Sequence, residues 1–443
     1  MAAQLNKHLR FWDSVAISVG IVIGVGIFKV PSQVAKYLTS PSETLLAWFI
    51  GGLITLLGVF CYAELSSKFP HTGGTYVYLR EAYGRFMGFM YGWAEFSINR
   101  AASIAAVSYI LAAYLRTIMP YPPGAEKWVA LSAVMFFTCV NILGVHFSVK
   151  IQNVLSLFKV LAMLTAAGLI FWFAKSVSLV NSNSPDTLHL NHIHLLAPAL
   201  IPILWTYGGW HESTFMSGEF HDTKRELPFS IISSALIVMA LYLIMNAAYL
   251  KVLSNPEMLG SKAIAYDALK KVLGPVGSTF ITIAILISAS GALNSNILTG
   301  ARVPFAVGRD FPVLGWAGQI HDQFKTPVQS LLLNGVWACV LIIWGNFEQL
   351  LFFNAFEIWL FFILVGISVF VLRGKKVKGE SNFLLKGYPF VPIGFTLVSL
   401  WLCVTTIIEA PREALFGTLI ILAGAPVYFF IRSKSSPSHN SIV

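Results

Sequence analysis

Residues 20–28 read GIVIGVGIF. Gly20, Gly24 and Gly26 interrupt the first long apolar segment, which is otherwise a helix able to cross a membrane. A glycine in a helix interior costs about 1 kcal/mol against alanine. In a bilayer, backbone groups that leave a helix must find partners in protein, ligand or cavity water. The stretch is therefore a close-packing face or a break whose freed backbone binds something. Small residues four apart, as Gly20 and Gly24 are, favour packing when taken alone.

The surrounding chain is that of an integral membrane protein. Of 443 residues, 56% are hydrophobic and 11% charged, and mean hydropathy is +0.72. Soluble proteins carry about 25% charged residues. Apolar runs of about 20 residues recur to the C-terminus, and no stretch reads as a separate soluble domain. The basic start (Lys7, Arg10) precedes a segment too long for a signal peptide. Twelve spans are expected, at 12–38, 42–68, 85–117, 127–145, 151–175, 196–219, 227–251, 275–303, 327–345, 350–372, 389–408 and 412–431. Residues 70–84, PHTGGTYVYLREAYG, read as a short re-entrant or surface segment, and 256–271 as a short surface helix. Cys61, Cys139, Cys339 and Cys403 fall in apolar runs without metal spacing and read as small core residues.

Net charge is +10, with acids and bases collected between the spans. Cytoplasmic loops of membrane proteins are enriched in Lys and Arg, so no nucleic acid is needed to explain the charge. With the N-terminus inside, inner loops carry about twice as many basic residues as outer ones. Both termini are thus expected in the cytoplasm, with residues 1–11 and a polar tail, 432–443, flanking one transmembrane domain, 12–431, in the cell membrane.

A second interrupted span, residues 202–220, reads PILWTYGGWHESTFMSGEF. Gly208 and Gly209 sit mid-span between aromatics, followed by His211 and Glu212. Spans one and six begin the two five-span halves, about 12–175 and 196–372, with two further helices at 389–431. Glycine-interrupted spans at matching positions point to a transporter with inverted repeats. In that architecture the broken helices meet at the midplane. The positive end of a half-helix faces an anionic group, and freed carbonyls face a cation. A zwitterion such as an amino acid suits both.

Several motifs resemble the amino acid–polyamine–organocation superfamily, and within it the L-amino acid transporter family and its bacterial relatives. They are GIVIGVGIFKVPS (20–32), CYAELSSKFPHTGGTYVYLREAYG (61–84), YGWAEFSINR (91–100), WTYGGWHE (205–212), GEFHDTKRELPFSI (218–231), GALNSNILTGARVPFAVGRD (291–310) and GKKVKGE (374–380) followed by YPFVPI (388–393). They run nearly end to end in the family's order. The resemblance implies an all-α membrane protein of twelve transmembrane helices, five-plus-five inverted repeats with helices 1 and 6 broken, plus two C-terminal helices.

It also implies roles. Backbone groups of Gly24, Val25 and Gly26 would bind the substrate carboxylate. Carbonyls near Val22 and Trp205, with Gly208 beside them, would take the amino group. Trp205 matches the aromatic gate over the substrate. Lys159 matches a lysine on the fifth helix, where sodium-coupled relatives hold a sodium ion. The chain departs from the family in Val25, often serine, in Trp205, commonly phenylalanine, and in His211, often asparagine in animal members, which leaves the side-chain preference open. Eukaryotic members join a heavy chain through an external cysteine between spans three and four. Residues 116–127 contain none, so no disulfide-linked heavy chain is expected.

Ionisable residues inside a membrane are functional candidates. Lys159 lies about eight residues, roughly 12 Å of helix, into span five, which is deep for snorkelling. A spacing of five places Glu95 and Arg100 imperfectly on one helix face, so each is expected to pair with another helix. His211 and Glu212 could carry protons, though a lone histidine is more often just hydrogen-bonded. Glu357 reads as facing either the pore or a satisfied polar contact. Asn294, Ser295 and Asn296 are expected to line the interior. No Walker sequence or nucleophile elbow appears, and His71, His146, His189, His192 and His194 lack a zinc pattern, so no catalytic residue, metal or cofactor is expected. The expected function is sodium-independent exchange of neutral L-α-amino acids by alternating access. The alternative is proton-coupled uptake, or exchange of cationic amino acids or polyamines. A nontransporting receptor on the same fold would show a large soluble extension, which the sequence lacks.

Overall fold

The computed structural model describes residues 5, 7–122, 124–174, 193–344, 347–375 and 382–434. His189, His192, the tail beyond 434, the side chain of His194 and most of GKKVKGE lie outside the described residues.

The first expected span is broken. Helix α1 (Phe11–Val22) gives way to a 3₁₀ turn (Gly26–Phe28) and the short α2 (Val30–Val34). Then come α3 (Pro41–Lys68), α4 (Thr75–Tyr83), α5 (Arg85–Ala94), a π-helical segment (Glu95–Arg100), α6 (Ala101–Ile118), α7 (Glu126–Ile142) and α8 (Val145–Phe173). Helix α9 (Ile193–Thr206) stops at the second glycine pair and is followed by a 3₁₀ stretch (Glu212–Glu219). The remainder is α10 (Thr223–Val252), α11 (Asn255–Gly260), α12 (Ile264–Gly300), α13 (Arg302–Asp310), α14 (Val328–Trp344), α15 (Phe347–Gly374), α16 (Phe390–Glu409) and α17 (Pro411–Lys434). For three spans the expected boundaries and the observed helices agree within a few residues: 42–68 is α3, 227–251 is α10, 389–408 is α16.

Among the described residues, eight helical stretches are long and apolar enough to cross a membrane, and α1, α14 and Leu195–Thr206 of α9 are shorter apolar helices. Large apolar side chains cover outward faces, among them Leu157, Phe158, Leu161 and Leu164 of α8 and Leu415, Phe416, Leu419 and Leu422 of α17. Apolar surface on that scale is stable only against lipid, so the protein is a multi-pass membrane protein. Helix α1 is held among α8, α10 and α12, and α10 packs along α3. The N-terminal segment closes on the chain after the second break. The Leu9 amide donates to Glu219 O (2.9 Å) and the His221 amide to Leu9 O (3.1 Å).

Three expectations change. Of the two readings of residues 70–84, re-entrant or surface, burial removes the second, because α4 buries Thr75, Tyr76, Val77, Tyr78, Leu79 and Ala82. Gly73 and Gly74, both at positive φ, turn the chain into it against Ala306 and Phe215. Residues 256–271 are two pieces: α11, then the first turns of α12, which bury Ile264, Ala265, Ala268 and Leu269 before a kink at Gly274. Cys61 and Cys403 are core residues as read, but Cys139 is exposed.

Candidate substrate site

The helix breaks where its own hydrogen bonds run out. The Ile23 amide still reaches Val19 O (2.9 Å), but the Gly24 amide turns back onto Val22 O (2.8 Å). The amides of Val25, Gly26 and Ile27 then have no acceptor among the described residues. On the other face the freed carbonyls are occupied. The Lys159 ammonium, on α8 and buried, donates to Gly20 O (2.7 Å) and Ile23 O (2.6 Å). Ser288 Oγ donates to Ile23 O (2.9 Å). Among the described residues Lys159 has no acidic partner, and its Nζ bonds backbone carbonyls alone.

The three glycines do different work. A Cβ at Gly20 would overlap the side chain of Gln152, so this glycine admits α8. One at Gly26 would lie 2.8 Å from Thr206 Cγ2, so this glycine admits the end of α9. One at Gly24 would meet nothing closer than Ile21 O at 3.9 Å, so this glycine leaves space.

The second break touches the first. Gly209 has φ +98°, a left-handed conformation that strains a residue bearing a Cβ, and a Cβ there would be 2.5 Å from Ile21 Cγ2. The Tyr242 hydroxyl of α10 lies within hydrogen-bond reach of Val22 O (2.8 Å) and Thr206 O (3.1 Å), one carbonyl from each break. A cavity of about 170 Å³ opens where the breaks meet. Every residue expected to bind substrate lines it: Val22, Gly24, Val25, Gly26, Trp205 and Gly208. His211 lines it too, while Lys159 stands behind α1. Trp205 is 41% exposed and stands free at the wall. His211 is not the hydrogen-bonded histidine expected. Its ring packs among Tyr62, Trp210, Phe215 and Phe362, and Nδ1 has no partner among the described residues.

A polar wall comes from the π segment, α6, the 3₁₀ stretch and α12. Asn99, Ser103, Asn296 and Glu212 reach the cavity, and behind them lies a buried ionic network. Arg100 donates to Glu95 Oε1 (2.6 Å) and Glu212 Oε2 (2.6 Å) and to Asn296 Oδ1 (2.8 Å). Thr299 donates to Glu212 (3.1 Å), and Asn99 to Glu95 Oε2 (2.6 Å). The expectation that each pairs with another helix holds for Arg100, which reaches Glu212 and Asn296, but Glu95 and Arg100 also pair directly, because a π segment runs from one to the other. Its i→i+5 hydrogen bonds bring residues five apart onto one face. Glu357 lies outside both readings offered for it, since it neither lines the cavity nor makes a hydrogen bond among the described residues. Asn294, expected inside, bonds Gln152 and Asn141. Tyr242, Ser288 and Asn99 were not singled out from the sequence. The available signal was a polar side chain inside an apolar span.

Two backbone breaks meeting at a small interior cavity, inside a multi-pass helical bundle, define a membrane transporter rather than an enzyme. The model of the amino acid permease family matches residues 9–431, and the chain belongs to that family, within the amino acid–polyamine–organocation superfamily. It is 29% identical to the serine/threonine exchanger SteT of Bacillus subtilis, over 98% of both chains. It is 30% identical to the b(0,+)-type amino acid transporter 1 of Homo sapiens, over 97% of this chain and 89% of that one. It is 28% identical to the large neutral amino acids transporter small subunit 2 of Homo sapiens, over 96% and 80%.

Proposed function

We propose that the protein exchanges neutral L-α-amino acids across the cell membrane by alternating access, without sodium. The observation that carries this reading is the pair of breaks, with open amides at 25–27 and a fixed ammonium behind them. The substrate carboxylate binds the amides of Val25, Gly26 and Ile27. Gly24 supplies room rather than a donor, since its own amide is engaged with Val22. The carbonyl of Val22 already accepts from Gly24 and Tyr242. The substrate ammonium therefore takes the carbonyl of Ile21, which no described donor uses, together with that of Trp205, which accepts only the Gly208 amide (3.0 Å) among the described donors. Trp205 and His211 gate the cavity, and the substrate side chain meets Trp359, Phe362 and the polar wall. Lys159 stands where a coupling ion would otherwise hold the break together, which removes the need for sodium. The relatives' names support the same substrate class, and one of them supports exchange.

In this reading twelve helices cross the membrane with both termini cytoplasmic. The halves 12–175 and 196–372 form inverted repeats, α16 and α17 are additional, and α1 and α9 rock against the scaffold. No disulfide-linked heavy chain joins it. Cationic substrates are disfavoured, because Glu212, the carboxylate at the cavity, is already held by Arg100 and Thr299.

Proteoliposomes at equal pH on both sides test the reading with radiolabelled L-serine, L-threonine and L-leucine. Uptake should require an internal amino acid and persist when choline replaces sodium. Equal uptake into empty vesicles, or loss of uptake without sodium, defeats it.

A further inference from the structure

The cavity where the breaks meet has two unlike ends. Toward the π segment and α12 its wall is polar, but the polar atoms there are largely committed to one another. Asn296 accepts from Arg100 and donates to Ala292 O (2.8 Å). Asn99 donates to Glu95, and Glu212 accepts from Arg100 and Thr299. A substrate hydroxyl or amide would give up its bonds to water there with few partners to replace them. Toward α3, α15 and α16 the wall is apolar, with Ile54, Leu204, Trp359, Phe362, Phe395 and Val398. Thr55, which also lines the cavity, gives its hydroxyl proton to Gly51 O (2.9 Å).

The apolar end is a packed structure of its own. Leu200 and Leu204 of α9 and Leu402 of α16 form a buried cluster, and Ile54, Trp359 and Val398 pack against it. Phe395 of α16 lies against Phe362 (ring centroids 5.5 Å) and Trp210 (6.2 Å). Gly58 of α3 makes room for both rings, since a Cβ there would stand 2.6 Å from Phe395 and from Trp210. Trp210 follows Gly209 directly, so these ring contacts join α16 to the second break. Helix α16 itself packs on α3 and α15.

An amino acid held at the breaks by its carboxylate and ammonium has only its side chain left to reach an end of the cavity. The apolar end rewards carbon in proportion to the area removed from water. We propose that the space between α3, α15 and α16 is the side-chain subsite, that Ile54 and Val398 set its length, and that substrates with apolar side chains the size of leucine are taken over those with hydroxyl side chains. Specificity is then set in part by α16, a helix outside both five-helix halves. The inference rests on the exchange reading and narrows its substrate class.

The test uses proteoliposomes preloaded with a mixture of L-alanine, L-leucine and L-serine, given each labelled amino acid in turn. The wild-type KM for leucine should be about tenfold below that for serine. Val398→Phe fills the end of the subsite, so it should raise the leucine KM about tenfold and leave the alanine KM within about twofold. Ile54→Phe should do the same from α3, which keeps the subsite open to test if Val398→Phe does not fold. Leu397→Phe, on the exposed face of the same helix, should change neither KM. A wild-type serine KM at or below the leucine KM overturns the proposal without any variant. So does a leucine KM unchanged in the folded Phe variants of 54 and 398, an equal rise for alanine and leucine, or a matching effect of Leu397→Phe. A wild type that exchanges none of the three overturns the exchange reading itself.

Discussion

The two breaks use one device in opposite ways. At the first, the carbonyls of Gly20 and Ile23 are tied from behind by Lys159 and Ser288, while the amides of residues 25–27 stay open. At the second, Thr206 O is within reach of Tyr242, and the chain beyond continues into Glu212, locked to Arg100. One break thus presents open donors with a lysine Nζ tying its carbonyls from behind, and the other is bordered by an acid paired with Arg100 and by aromatic rings. The difference teaches that an interrupted helix has no polarity of binding by itself. The neighbouring helices decide which half of the freed backbone stays available.

The largest effect is expected where the breaks touch. Gly26→Val places carbon against Thr206 and should abolish both transport and the thermal shift on adding amino acid. Normal transport by this variant places the substrate elsewhere. Lys159→Met should come next. It leaves the Gly20 carbonyl without a donor, at about 1–3 kcal/mol, while Ile23 O keeps Ser288. A lower Tm in detergent and loss of counterflow are the readouts, and an unchanged Tm removes the polarity argument at the first break. Tyr242→Phe loses only the hydroxyl between the breaks. About 1 kcal/mol of binding, a roughly fivefold weaker affinity, should be lost with the fold retained. Gly24→Ala adds a methyl to open space, so it should favour smaller substrates in competition assays without abolishing exchange. The smallest effect belongs to Val25→Ser. Its contact is a backbone amide, and binding should shift by about 0.5 kcal/mol or less. A large shift there makes the side chain a ligand.

Much of the fold was legible because a membrane imposes length and polarity rules on every span. The boundaries of α3, α10 and α16 follow from apolar runs alone. Both breaks were legible because clustered glycines weaken a helix at the depth where the bilayer most requires one. Helix α4 was not, since tyrosines and charges in a short segment look the same on a surface as in a packed junction. The Glu95–Arg100 pair was missed because the expectation assumed α-helical spacing, whereas the chain is π-helical there. The partners of Val22 O and Thr206 O were invisible because Tyr242 is far along the chain from either.

Sequence alone determined that this chain spans a membrane, where several of its helices run, which two spans carry clustered glycines and that Lys159 lies inside one of the apolar runs. Those features depend on local composition, which the bilayer reads residue by residue. Tertiary structure decided which freed groups stay open, that Gly24 makes space while Gly20 and Gly26 admit neighbours, and that Glu357 lacks a partner among the described residues. Each of these depends on what another helix brings to within about 3 Å, the range of a hydrogen bond, and no local pattern carries that distance.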